Sequence, residues 1–119
     1  MRIILARTPG PRTAAAVTYR AGRARPGTPG APGGWTRLWR VTVNARHGEM
    51  VTAGWIAYDR RGRRRRRYAY YITGQVAGDL AAYLDHARSP NAALQLVATA
   101  HAAWMHEQSK WQGMQGKQL

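Results

Sequence analysis

The chain has 119 residues, with 19 Lys and Arg against five Asp and Glu, for a net charge of +14. That length suits one domain able to bury a core of its own. The absence of cysteine excludes a disulfide framework or a thiolate metal site, and no apolar run approaches the roughly 20 residues that a membrane span needs.

So large a cationic excess costs self-repulsion in the compact state, and a polyanionic partner is its natural complement. Seventeen of the 19 cations are arginine. Arginine forks onto phosphate oxygens with two parallel hydrogen bonds and stacks on bases, and lysine does neither as well. A GC-rich coding sequence accounts for the arginine-to-lysine ratio equally well, but not for the scarcity of acids.

Residues 1–34 form a basic, Pro/Gly-rich arm. Within it, Met1–Arg7 and Ala14–Arg20 have the makings of short strands. The Pro26–Gly34 stretch is a linker by composition. The arm is expected to be extended and to add little to the core. Its Pro and Gly content also spoils the amphipathic helix of an organelle transit peptide. A cytoplasmic location is expected, in a bacterial, phage or plasmid setting.

Residues 35–112 are expected to hold the nucleic-acid-binding domain. In Trp35–Ala45, Trp35, Trp39, Val41 and Val43 fall on one face, and Thr36, Arg40, Thr42 and Asn44 on the other. Met50–Tyr58 is a second strand, with Val51, Ala53, Trp55 and Ala57 opposite Met50, Thr52, Ile56 and Tyr58. A turn at Asp59–Gly62 leads to a third strand, Arg64–Thr73. Thr73 is then placed to cap a helix with Val76, Leu80, Tyr83, Leu84 and Ala87 on one stripe. Ser89-Pro90 opens a second helix, with serine as cap and proline at its first position. Residues 113–119 are expected to be a flexible tail. The expected fold is therefore α+β: an antiparallel sheet of three to five strands followed by two C-terminal helices packed on one face.

The run Arg60–Arg67, interrupted only by Gly62, is the sharpest local signal. On a hairpin tip it charges both faces and forms a cationic finger suited to a phosphate backbone. Tyr68 and Tyr70 follow directly on one face, and aromatic rings on a basic sheet are how single-strand binders stack bases. The expected nucleic-acid-binding set is Arg37, Arg40, Arg60, Arg61, Arg63, Arg64, Arg65, Arg66, Arg67, Tyr68 and Tyr70. Apolar and aromatic residues on both sheet faces, with few helices to cover them, point to a homodimer.

Catalysis finds little support. His101 and His106 are five apart and diverge around a helix, so they make no metal pair. His47 and Glu49 flank a turn with no specific spacing for acid–base work. No enzymatic activity, metal or cofactor is expected. Non-enzymatic nucleic-acid binding, single-stranded DNA or RNA preferred and weakly sequence-selective, is the expected function. The alternatives are an architectural or regulatory protein of duplex DNA, and a phage- or plasmid-type protein that grips an acidic protein partner as a virion component or inhibitor.

The segments Trp39–Val43, Val51–Tyr58, Arg63–Ile72 and Gln75–Leu84 also give a layout of strands, basic loop and helix that resembles the Whirly and positive-cofactor transcription-coactivator proteins. The resemblance covers about 40% of the 119 residues and involves order of elements alone, without a diagnostic motif. It implies a single-stranded-DNA-binding fold in which the sheets of a dimer form a basic, aromatic surface. The second expected helix and the Pro/Gly arm depart from that pattern.

Overall fold

The computed structural model describes residues 8–44, 48–63, 65–73 and 81–117. Six antiparallel strands run in chain order: β1 (Arg12–Ala14), β2 (Val17–Ala24), β3 (Leu38–Asn44), β4 (Met50–Tyr58), β5 (Tyr68–Thr73) and β6 (Ala81–Ala87). One helix, α1 (Pro90–Lys117), follows. Each strand pairs with the next, so the sheet is a simple meander that curls into a half-barrel. The helix lies in its hollow and touches both edge strands, β1 and β6, as well as β2, β4 and β5.

The expected three to five strands and two helices are thus corrected, among the described residues, to six strands and one helix. The segment expected to be the first helix contributes β6 instead, and Thr73 ends β5 rather than capping a helix. The misreading has a local cause. Between Tyr70↔Asp85 and Tyr71↔Tyr83 the register shifts by one residue, so β6 bulges at Leu84. A bulge places residues three apart on one face, which imitates helical spacing. Tyr83 and His86 share the outer face in this way.

The arm also joins the sheet. Tyr19 on β2 is buried in the main core, so 12–24 is structural and the expectation that it adds little to the core does not hold. Met1–Arg7 lies outside the described residues. The β1–β2 connection is the two-residue turn Ala15-Ala16, both at positive φ (51° and 62°). That geometry matches the sheet's twist but is normally left to Asn and Gly.

Each face of the sheet carries its own cluster. On the helix side Tyr19, Trp39, Val41, Ile56 and Tyr70 pack against Ala93, Leu94, Val97 and Ala98. On the outer side Leu38, Trp55, Ala57, Ala69 and Tyr71 are covered by Ala31 and Trp35. The Pro/Gly segment therefore straps the outer face, and Trp35 Nε1 donates to Tyr71 Oη at 2.9 Å. Trp35 accordingly leaves the face expected to be shared with Trp39. Likewise Ala53 and Trp55 separate, because β4 bulges at Ala53 between Val41↔Gly54 and Thr42↔Thr52. A Cβ on Gly54 would sit 2.7 Å from Val97 Cγ1 and collide with the Tyr71 carbonyl, so only glycine lets α1 come this close.

Ser89 caps α1 as expected, its Oγ accepting from the Ala92 N–H at 3.1 Å. The helix runs past the expected end at residue 112 to Lys117.

Candidate functional site

Asp59 organises the loop between β4 and β5. Its backbone N–H donates to the Arg67 carbonyl at 2.6 Å, and its carbonyl accepts from Gly62 N–H at 3.1 Å. Its Oδ1 accepts from Arg61 N–H at 2.9 Å. A second turn follows, with Arg66 N–H on the Arg63 carbonyl at 3.0 Å and Arg65 at φ 63°. A Cβ at Gly62 would stand 2.9 Å from Arg67 Cα, so the loop folds tightly onto itself. The arginine run is therefore a compact double turn, and β5 begins at Tyr68 rather than at the expected Arg64.

This loop meets the end of β6. Asp59, Arg61, Gly62, Arg63, Arg66, His86 and Arg88 line one surface pocket of about 470 Å³. His86 Nε2 lies 2.9 Å from Asp59 Oδ2, and its Nδ1 lies 2.6 Å from Tyr83 Oη. A carboxylate only accepts, so Nε2 carries hydrogen, and in the neutral ring Nδ1 accepts from the tyrosine. The hydrogen bond from His86, then that from the Arg61 N–H, hold the Asp59 carboxyl below its ordinary pKa. Burial, then the charges of Asp85 and Asp59, push the Tyr83 phenol up.

His86–Asp59 is the single contact of a basic side chain with a carboxylate within salt-bridge distance among the described residues. No described arginine has a described carboxylate within salt-bridge distance. The loop's Arg60, Arg65 and Arg67 are exposed as well.

The expected site residues divide into three groups. Arg61, Arg63 and Arg66 line the pocket, and Arg60, Arg65 and Arg67 are exposed on the same loop. Arg64 lies outside the described residues. Arg37 and Arg40 stand elsewhere, over the rings of Tyr58 and Trp55 respectively, each at 5.2 Å. Such cation–π placement uses them in packing.

Tyr68 and Tyr70 face the helix. Tyr70 is buried in the main core and Tyr68 is half-buried against it, near Tyr58 and Trp39. Burial raises both phenols. Tyr70 therefore offers no open ring for a base. The aromatic ring beside the pocket is Tyr83, 53% exposed and edge-on to both Tyr71 and His86.

Tyr83, His86 and Arg88 went unrecognised in the sequence because 81–87 has helical periodicity. Taken as a strand, Tyr83-Leu84-Asp85-His86-Ala87-Arg88 sets polar side chains beside the arginine loop. Among the described residues no group of three metal-ligating side chains gathers, and no helix is long and apolar enough to cross a membrane. No known protein family matches the chain, and neither characterised proteins nor solved structures show a match.

Proposed function

We propose that the protein binds nucleic acid without acting on it chemically, preferring single strands and selecting weakly for sequence. The observation that carries this reading is the gathering of Arg61, Arg63, Arg66 and Arg88 in one pocket, where the sole carboxylate is already engaged by His86. One phosphate seats in the pocket, and Arg60, Arg65 and Arg67 meet the flanking backbone. Phosphate contacts fix position and carry little sequence information, hence the weak selectivity. The exposed Tyr83 ring favours single strands, since only an unpaired base can offer its face.

Affinity for a single-stranded 12-mer should fall steeply with salt, the slope of log K against log salt changing by about −0.7 for each neutralised phosphate. A slope near zero would sink the reading. Replacing Arg61, Arg63 and Arg66 together by Gln should weaken binding at low salt by tenfold or more, since charge-assisted hydrogen bonds contribute about 1.5–3 kcal/mol each.

A homodimer belongs to the same proposal. Met50, Val51, Leu96 and Met105 are exposed apolar side chains, and α1 continues well past His101, the last buried helix residue among the described side chains. Light scattering should return twice the monomer mass of 13.3 kDa.

A further inference from the structure

We infer that the pocket is shaped for a phosphomonoester, the terminal phosphate of a nucleic-acid strand, rather than for an internal phosphodiester. The inference rests on the nucleic-acid reading above and names the group that the pocket takes.

The first argument is convergence. A protein that tracks a backbone spreads its cations along a groove so that successive phosphates each find a partner. Here Arg61, Arg63 and Arg66 come from the β4–β5 loop and Arg88 from beyond the end of β6, yet all four line the same concavity. The loop is held to that purpose by hydrogen bonds of its own. Asp59 accepts from Gly62 and Arg61, and Arg63 accepts from Arg66. The double turn therefore brings cations that are adjacent in sequence around to one point.

The second argument is charge and donor balance. An internal phosphodiester carries one negative charge and two free oxygens, which a single bidentate arginine can satisfy. A phosphomonoester carries about −1.5 to −2 charges and three free oxygens near neutral pH. Four guanidiniums exceed what a diester can use and suit a monoester. Asp59 offsets one of them and leaves a surplus of three, which still suits a monoester better than a diester; its Oδ1 accepts from the Arg61 N–H and its Oδ2 from His86 Nε2, each at 2.9 Å. His86 thus engages the one carboxylate that lines the pocket.

The third argument is the neighbour. Tyr83, which touches His86 through its hydroxyl, presents an exposed ring where the terminal base would stack.

The test compares one single-stranded 12-mer in three forms, bearing a 5′-phosphate, a 3′-phosphate or hydroxyls at both ends, with adenosine 5′-monophosphate as a free-nucleotide arm. Fluorescence anisotropy or calorimetry reads binding at two salt concentrations. One of the phosphorylated oligonucleotides should bind about tenfold more tightly than the hydroxyl-ended one, the worth of one added charge-assisted hydrogen bond. In the double variant Arg66→Gln, Arg88→Gln that ratio should fall below twofold, while the melting temperature stays that of the parent, since both side chains are exposed. Equal affinity for all three oligonucleotides, with the salt dependence intact, would overturn the end-recognition inference and leave nucleic-acid binding standing. Binding of the mononucleotide without binding of any oligonucleotide would instead overturn the nucleic-acid reading, and the strand-end assignment with it. Salt-insensitive or absent binding throughout would overturn both.

Discussion

Two histidines in this protein each share Nδ1 with a tyrosine hydroxyl, and their surroundings are opposite. His101 on α1 meets Tyr19 of β2 at 2.9 Å beneath the helix, where both side chains are buried. His86 on β6 meets Tyr83 of the same strand at 2.6 Å, beside Asp59 and a pocket of arginines. The first pair joins elements far apart in the chain and fixes the helix on the sheet. The second pair spans three residues of one strand and leaves the tyrosine ring in solvent. Burial alone pushes His101 toward its neutral form, so it acts as a polar packing residue. His86 instead faces the Asp59 carboxylate at 2.9 Å beside the arginine loop. One local motif thus takes two roles, and the medium around it decides which.

The sharpest way to break this division is to cut each region by its tyrosines. Tyr70→Ala should destabilise the fold by about 3–5 kcal/mol, as for other large core truncations. The affinity of the folded fraction for single strands should not change, because Tyr70 faces Leu94 and Val97 in the core rather than the ligand. Tyr83→Ala should do the reverse, costing about 1–3 kcal/mol in single-strand binding through lost stacking and little in melting temperature. Loss of binding by the folded Tyr70→Ala protein would return the base-stacking role to β5.

A second test separates the pocket from the rest of the loop. Replacing Arg60, Arg65 and Arg67 by Gln should flatten the salt slope by up to about 2, if each meets one phosphate, and should weaken every sequence alike. The same change in slope after replacing Arg37 and Arg40 would show that the cations stacked on Tyr58 and Trp55 also reach the ligand.

Much of this architecture was legible in the sequence, and the failures have physical reasons. β4 was read with its observed bounds, and the start of α1 followed from Ser89-Pro90. On β3 Trp39, Val41 and Val43 do share one face, as their alternation gave, while Trp35, grouped with them, packs on the other side. What failed on β4 and β6 assumed a periodicity that a bulge interrupts. The bulge at Ala53 sends Trp55 to the outer face, and the bulge at Leu84 made β6 look helical. The sequence offered Ala14–Arg20 as a short strand, but the charge of Arg20 and Arg23 concealed that β2 runs on to Ala24 and turns Tyr19 and Ala21 inward. The arginine run stood out at once, but its partners His86 and Arg88 did not. They come to it only through the β5–β6 pairing, a contact that local sequence does not announce.

Acidity should act on the core pair. The folded-state pKa of His101 lies below its ordinary value of 6.5 because burial disfavours the charged ring. Below pH 6.5 the unfolded chain therefore takes up a proton that the folded chain refuses, and stability falls with pH until the folded-state pKa is passed. The contribution is fully present above pH 6.5. Melting curves from pH 7.5 to 5 should show the decline, and His101→Leu should flatten it. At neutral pH, Tyr19→Phe should cost about 1 kcal/mol by leaving buried His101 Nδ1 without its partner. An unchanged pH profile in His101→Leu would assign the decline to other groups.

The smallest expected effect is the most discriminating. Tyr83→Phe removes the hydroxyl from His86 Nδ1 and keeps the ring. If the ring stacks on a base, single-strand affinity should change by no more than about 0.5 kcal/mol, because an exposed hydrogen bond is readily exchanged for one to water. Stability should change as little, since His86 stays anchored to Asp59 through Nε2. Tyr19→Phe supplies the contrast, for there the same deletion strands a nitrogen that water does not reach. Should Tyr83→Phe lose as much binding as Tyr83→Ala, the hydroxyl rather than the ring would be the active part. Tyr83 would then serve to orient His86 in the pocket, and the preference for single strands would have to come from the arginine loop alone.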